Sequence, residues 1–147
     1  LRPSPSHPLS PSGGTGEEVS PPPPSASFEQ GYREALKQYE SGHYQSAILA
    51  FRELLSATQE NSLSDNCRYW LGECYYSLRE FQQAIAQFRK VFSYKNSNKR
   101  DAAQLKIGMS YLELRDKTKA REELSRLIED YPNSQYADRA RLLLKGL

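Results

Sequence analysis

The chain has 147 residues, 26% of them charged, with a net charge of +2. Basic and acidic residues are interspersed, which excludes the strongly basic footprint of a nucleic-acid binder, and no run approaches the ~18 apolar residues of a membrane span. The only histidines, His7 and His43, and the two cysteines, Cys67 and Cys74, are too scattered for the about four ligands of a zinc site, so neither metal nor cofactor is expected.

In chain order, residues 1–27 come first and hold eight of the nine prolines with almost no large apolar side chain. Such a stretch buries too little surface to offset chain entropy and reads as a disordered linker, locally stiff at 21–24 where four prolines adjoin. The chain begins at Leu1 without Met and shows no signal peptide. It reads as a processed or trimmed piece, so compartment is left open.

Residues 28–147 carry apolar side chains at helical spacing throughout and form one predicted domain. The first repeat, about 28–63, places Tyr32, Ala35, Leu36 and Tyr39 on one helix face. After "SGHY", where Gly42 suits a left-handed turn, Ala47, Ile48, Phe51, Leu54 and Leu55 follow on a second. The second repeat, about 64–99, has helices around 69–76 and 81–92 joined by "SLRE". The basic cluster "KNSNKR" (95–100) reads as a solvated interhelical loop. The third, about 100–134, has helices around 105–112 and 120–128 joined by "LRDK", and "YPNS" leads to a capping helix at 135–146. Ser64, Asp65 and Asp101 support helix starts.

Three columns fix the repeat. Ala47, Ala84 and Ala120 stand 37 and 36 residues apart, twelve residues before each stands Ala35, Gly72 or Gly108, and four after stands Phe51, Phe88 or Leu124. The small residues let the paired helices approach closely, and the aromatics at 51 and 88 are expected to fill the space between consecutive hairpins. No single hairpin can bury its own apolar face, so the hairpins stack.

A small–x3–Tyr … Ala–x3–Phe pattern in helix pairs resembles the tetratricopeptide repeat, and "WLGECYYS" with Ala84 and Phe88 carries most of the likeness. The fold expected is all-α: a superhelix of three hairpins plus the capping helix. The stretches "GHYQSAILAFRELL", "SDNCRYWLGECYYSLREFQQAIAQFRKVF" and "AREELSRLIEDYPNSQYADRARLLL" further resemble the C-terminal repeat domain of the Tol–Pal system protein family (YbgF/CpoB), periplasmic coordinators of cell division. That resemblance implies a non-enzymatic, protein-binding role in the periplasm, with a TolA-like periplasmic domain as partner. It also implies a signal peptide and an oligomerising coiled coil upstream of the linker. The loops "SATQENSLSD" and "SYKNSNKRDA" depart from the family's Tyr-Pro turn. Three alternatives stay open: a lipoprotein scaffold for outer-membrane protein assembly, a cytosolic co-chaperone or assembly factor, and a helical accessory domain of an enzyme.

In proteins of this repeat class the inner face of each first helix lines a groove. By position, the resemblance assigns to it Tyr32, Arg33, Leu36 and Tyr39; then Asn66, Tyr69, Trp70, Glu73 and Tyr76; then Ala102, Leu105, Lys106, Met109 and Leu112. An aromatic wall with a few polar anchors suits peptide binding. Cys67 and Cys74, seven residues apart on one helix, are separated by roughly 10.5 Å along its axis, too far to bridge each other, and read as small buried hydrophobes. The carboxylates at 29, 40, 53, 73, 113 and 129 lie on different helices in a solvated pattern, with Glu123 expected to pair with Lys119 one turn away. No acid–base couple is found among them.

Overall fold

The structure, a computed structural model, describes residues 19–57 and 59–147. Most of the expected linker, residues 1–18, lies outside them. Seven α-helices follow in order: α1 (Ala26–Glu40), α2 (Tyr44–Leu55), α3 (Ser64–Ser77), α4 (Phe81–Lys90), α5 (Arg100–Glu113), α6 (Lys117–Asp130) and α7 (Gln135–Lys145), with a 3₁₀ turn (Val91–Ser93) extending α4. Helix α1 starts two residues before the expected domain boundary because the Ser25 hydroxyl accepts the Phe28 N–H at 3.1 Å and caps it. Just upstream, the Pro22 carbonyl accepts the Ser62 N–H at 2.9 Å, tying the end of the proline run to the α2–α3 loop.

The hairpins α1–α2, α3–α4 and α5–α6 turn at matching points. Gly42 has φ +80°, and Arg79 and Arg115, each at φ +62°, occupy the same left-handed position one repeat and two repeats later. Only glycine takes that conformation without steric penalty, so the second and third turns hold a local strain that their "SLRE" and "LRDK" sequences do not advertise. Asp116 caps α6 through the Lys119 N–H (3.1 Å) and Ser134 caps α7 through the Tyr136 N–H (3.0 Å). Ser64 opens α3 differently from its expected capping role, accepting the Asn61 N–H at 2.9 Å inside the preceding loop.

Packing follows the small-residue column. Ala35, Ala47, Ala84, Ala120, Phe51, Phe88 and Leu124 are all fully buried. A methyl placed on Gly72 would fall 2.5 Å from the Phe88 ring, and one on Gly108 would fall 2.6 Å from a Leu124 methyl. The Phe88 ring therefore lies over the glycine of its own hairpin, whereas it was expected to fill the space between consecutive hairpins. Each helix packs on the one before and the one after, while α1 also touches α3 and α5 touches α7, so the first helices stand side by side. The core divides into a larger part from Phe28 to Ile107 and a smaller one around Leu105, Leu124, Leu127 and Ala140, with Tyr136 of α7 touching both.

A polar column repeats on the second helices. Arg52 of α2 donates to the Tyr75 hydroxyl of α3, and one repeat later Arg89 of α4 reaches the Tyr111 hydroxyl of α5 (3.3 Å) and Glu123 of α6 (2.7 Å). Glu123 is buried and also accepts Gln104 Nε2 at 2.6 Å. It does not make the solvated pair with Lys119 that its spacing suggests, because Arg89 and Gln104 turn it inward. Burial raises its carboxyl pKa, but the hydrogen bonds from Arg89 and Gln104 outweigh that and hold it below the usual carboxylate range.

Because the Phe88 ring leaves no room for a Cβ, Gly72→Ala is expected to lower unfolding stability by about 1–3 kcal/mol despite its better helix propensity. Chemical denaturation measures this, and adding Phe88→Leu to Gly72→Ala should recover part of the loss.

Candidate binding groove

The inner wall is built where the first helices adjoin. Tyr39 of α1 meets Trp70 of α3 with ring centroids 5.1 Å apart, and Tyr44 packs on Tyr39 at 5.4 Å. Lys106 of α5 reaches back to α3, its Nζ 3.1 Å from Glu73 Oε1 and 4.3 Å from the centre of the Tyr76 ring. From α7, Asp101 of α5 receives the Ser134 hydroxyl at 2.7 Å, and the positive charge of Arg139 acts on Tyr76. Part of the expected set thus meets along this wall, Tyr39 with Trp70 and Lys106 with Glu73 and Tyr76, while Ser134, the N-cap of α7, ties that helix to α5. The sequence reading gave α7 only a shielding role, because without a following repeat it has no column to align with.

Individual residues sort by depth. Tyr32, Leu36, Tyr39, Trp70, Glu73, Tyr76, Lys106, Met109 and Leu112 are half-buried, each keeping an accessible part, and Arg33 is exposed. Tyr69 is buried: it packs on Phe88 (5.6 Å) and edge-on to Trp70 (5.6 Å), with Lys99 over its other side at 5.4 Å. Its assignment to the groove surface is corrected. Tyr69 supports the wall from behind because Phe88, Trp70 and Lys99 pack around its ring. Ala102 and Leu105 are likewise buried. Asn66 opens onto a different feature, a cleft of about 1240 Å³ bounded by residues 19–22, 59–62 and 93–98. Its Nδ2 donates to the Tyr32 hydroxyl at 3.4 Å and so links that cleft to the groove edge.

Electrostatically the wall is dominated by burial. Burial pushes the hydroxyl pKa values of Tyr32, Tyr39 and Tyr76 up, so all three present neutral hydroxyls near pH 7. Cys67 and Cys74 are free and buried, and burial raises both thiols to about 12, which leaves them as packing groups without nucleophilic thiolate. Glu73 is the exception to the solvated pattern expected of it. Its side chain is only 12% exposed, and desolvation lifts its carboxyl above the usual range against the pull of Lys106. Among the described residues no three His, Cys, Asp or Glu side chains converge as a metal site would require, and none of the helices is long and apolar enough to cross a membrane.

Comparison with known proteins places this geometry. Residues 32–98 match one family model described as tetratricopeptide repeat, and residues 102–134 match another of the same description; together they span more than half of the chain. Among solved structures, the fold is similar to the Yersinia enterocolitica type III secretion chaperone SycD in complex with a peptide of the translocator YopD (TM-score 0.72, 20% identity, covering 84% of this chain and 93% of that one). It is also similar to PcrH in complex with the chaperone binding region of PopB (TM-score 0.67, 20% identity, 81% and 95%). A third likeness is to the second tetratricopeptide domain of human RPAP3 with an HSP70 peptide (TM-score 0.64, 13% identity, 78% and 92%). No curated protein matches the chain.

The raised carboxyl of Glu73 carries a sign. The folded state holds the Glu73 proton more tightly than the unfolded chain does. Stability linked to this group is therefore full at pH values below the unfolded pKa and is lost as pH rises through the folded one. Glu73→Gln, which mimics the protonated form, should raise the melting temperature at pH 7 relative to the parent, and the difference should shrink towards zero by about pH 4. Thermal melts followed by circular dichroism at both pH values measure it.

Proposed function

Because the chain belongs to the tetratricopeptide-repeat family, we propose that it is a non-catalytic module that captures a segment of a partner protein along the inner wall of α1, α3, α5 and α7. The observation that carries this reading is the half-buried rings of Tyr39, Trp70 and Tyr76, with Tyr39 and Trp70 in direct ring contact between hairpins and Trp70 backed by the buried Tyr69. Aromatic side chains fixed by packing lose little freedom on binding and supply large contact area, the property of residues that dominate interface energy.

The finer reading rests on the likeness of "DNCRYWLGECYYS" and its flanks to the Tol–Pal family. On that basis the module works in the periplasm, docks a TolA-like domain, and helps coordinate outer-membrane constriction with peptidoglycan synthesis during division. Its oligomeric state would come from a coiled coil preceding the proline linker. A second reading, an assembly chaperone for a secreted or membrane-bound client, is favoured by one specific observation. SycD and PcrH, which share the fold over more than four-fifths of this chain, were each solved holding a segment of a protein they chaperone. Binding of a purified TolA-type domain supports the first reading; binding only of isolated apolar client segments supports the second.

For either partner, Trp70→Ala and Tyr76→Ala are each expected to weaken affinity by about tenfold or more while leaving helical content unchanged. Titration calorimetry alongside circular dichroism makes the measurement. Undiminished affinity in both variants would remove the groove from consideration.

A further inference from the structure

Two of the loops between repeats, residues 56–65 and 93–102, lack the Tyr-Pro turn that 131–134 keeps, and both line one cleft. Its third wall is the end of the proline run at residues 19–22, so the cleft lies along the edge where one hairpin leads into the next. These walls are tied in place. The Pro22 carbonyl accepts the Ser62 N–H at 2.9 Å, and Arg100 holds the far loop by donating to the Phe92 and Tyr94 carbonyls at 2.9 and 3.1 Å. At about 1240 Å³ the cleft exceeds the ~300–1,000 Å³ of a small-molecule pocket and has room for a chain of several units.

Its polar side chains divide by role. Some are spent on the loops themselves: Asn61 Oδ1 accepts the Leu63 N–H at 2.9 Å, and Ser97 Oγ accepts the Lys99 N–H at 3.0 Å. That is the ordinary use of such residues in turns. Gln59 on one loop and Asn96 and Asn98 on the other are different. All three are exposed in the cleft, and among the described residues their side-chain amides have no partner. Half-buried Tyr94 joins them, its hydroxyl held by Arg68 while the charges of Glu60 and Asp65 act on it from the other loop. With Lys95 also in the lining, two positive charges meet two negative ones and neither sign prevails.

We propose that this cleft binds a neutral oligosaccharide, with a sugar ring stacked on Tyr94 and sugar hydroxyls paired with the amides of Gln59, Asn96 and Asn98. A planar amide sets a donor beside an acceptor, and a hydroxyl is both, so adjacent sugar hydroxyls fit one amide. An aromatic ring covers the apolar C–H face of a sugar while the sugar's polar rim stays free for hydrogen bonds. The balanced charge disfavours an ionic ligand. A protein segment would need buried apolar anchors, and beyond Tyr94 the cleft offers only Val19, Pro21 and Pro22, all exposed. This site is separate from the aromatic groove, so it stands or falls independently of peptide capture.

The test titrates the isotope-labelled 147-residue chain with short oligomers of starch, cellulose and chitin as neutral probes. Oligogalacturonate and chitosan oligomers serve as acidic and basic ones. At least one neutral probe should shift the side-chain amide resonances of Asn96 and Asn98 saturably, with a dissociation constant below about 5 mM. Tyr94→Ala should weaken that binding by about tenfold or more, Tyr94→Phe by less than about threefold, and Asn96→Ala and Asn98→Ala each by about threefold to tenfold. Trp70→Ala should leave it unchanged. The two asparagines are exposed, so their variants keep the result readable even if Tyr94→Ala disturbs the loop. The proposal is overturned if no neutral probe binds below about 5 mM, if a charged probe binds equally or more tightly, or if binding is indifferent to Tyr94 or to both asparagines. It is overturned equally if peptides from a random library shift these amides where the sugars do not.

Discussion

The constraint on which the structure depends is a missing Cβ. At Gly72 a ring from the paired helix occupies the space a side chain would need, and at Gly108 a leucine does the same. That contact lets α3 and α4, and then α5 and α6, close into hairpins with fully buried interfaces. Because a small residue recurs at that helix position in each repeat, with Ala35 in the first, the hairpins are similar enough to stack in register. Stacking them side by side brings the first helices together, and their remaining faces form the inner wall. The groove is thus a by-product of close packing elsewhere. Its residues are free to be aromatic because they are not the ones that hold the hairpin shut.

Two buried carboxylates meet opposite environments in one scaffold. Glu123 joins α4, α5 and α6 through Arg89 and Gln104, and those bonds overcome its desolvation. Glu73 sits among rings, gains a single cation, and remains penalised by burial. Burial also separates the two pairs of like residues on α3. Tyr69 and Tyr75 are buried and structural, while Trp70 and Tyr76, one position further along the helix, are the accessible ones.

Much of this was legible in the sequence for a definite reason. The helix period, the small-residue column and Gly42 each act locally, so their positions alone reveal the hairpins. The turns at Arg79 and Arg115 were legible only by register with Gly42, since arginine gives no sign of a left-handed backbone. Depth within the groove was harder. Tyr69 follows the same spacing as Tyr32 and makes the equivalent ring contact, on Phe88 as Tyr32 does on Phe51, yet Trp70 and Lys99 also pack on it and it is buried where Tyr32 is half-buried. The inward turn of Glu123 was hidden because its partners lie 34 and 19 positions away, whereas Lys119 lay within sight along the helix.

Along the groove the ties between first helices change character. Helices α1 and α3 are joined by ring on ring, α3 and α5 by an ammonium held between a carboxylate and a ring, and α5 and α7 by a hydroxyl-to-carboxylate hydrogen bond. Apolar contact is indifferent to direction, so the ring contact at the α1–α3 junction leaves the two helices room to adjust against each other. Hydrogen bonds and ion pairs are directional, so the α3–α5 and α5–α7 junctions fix the placement of their helices more narrowly.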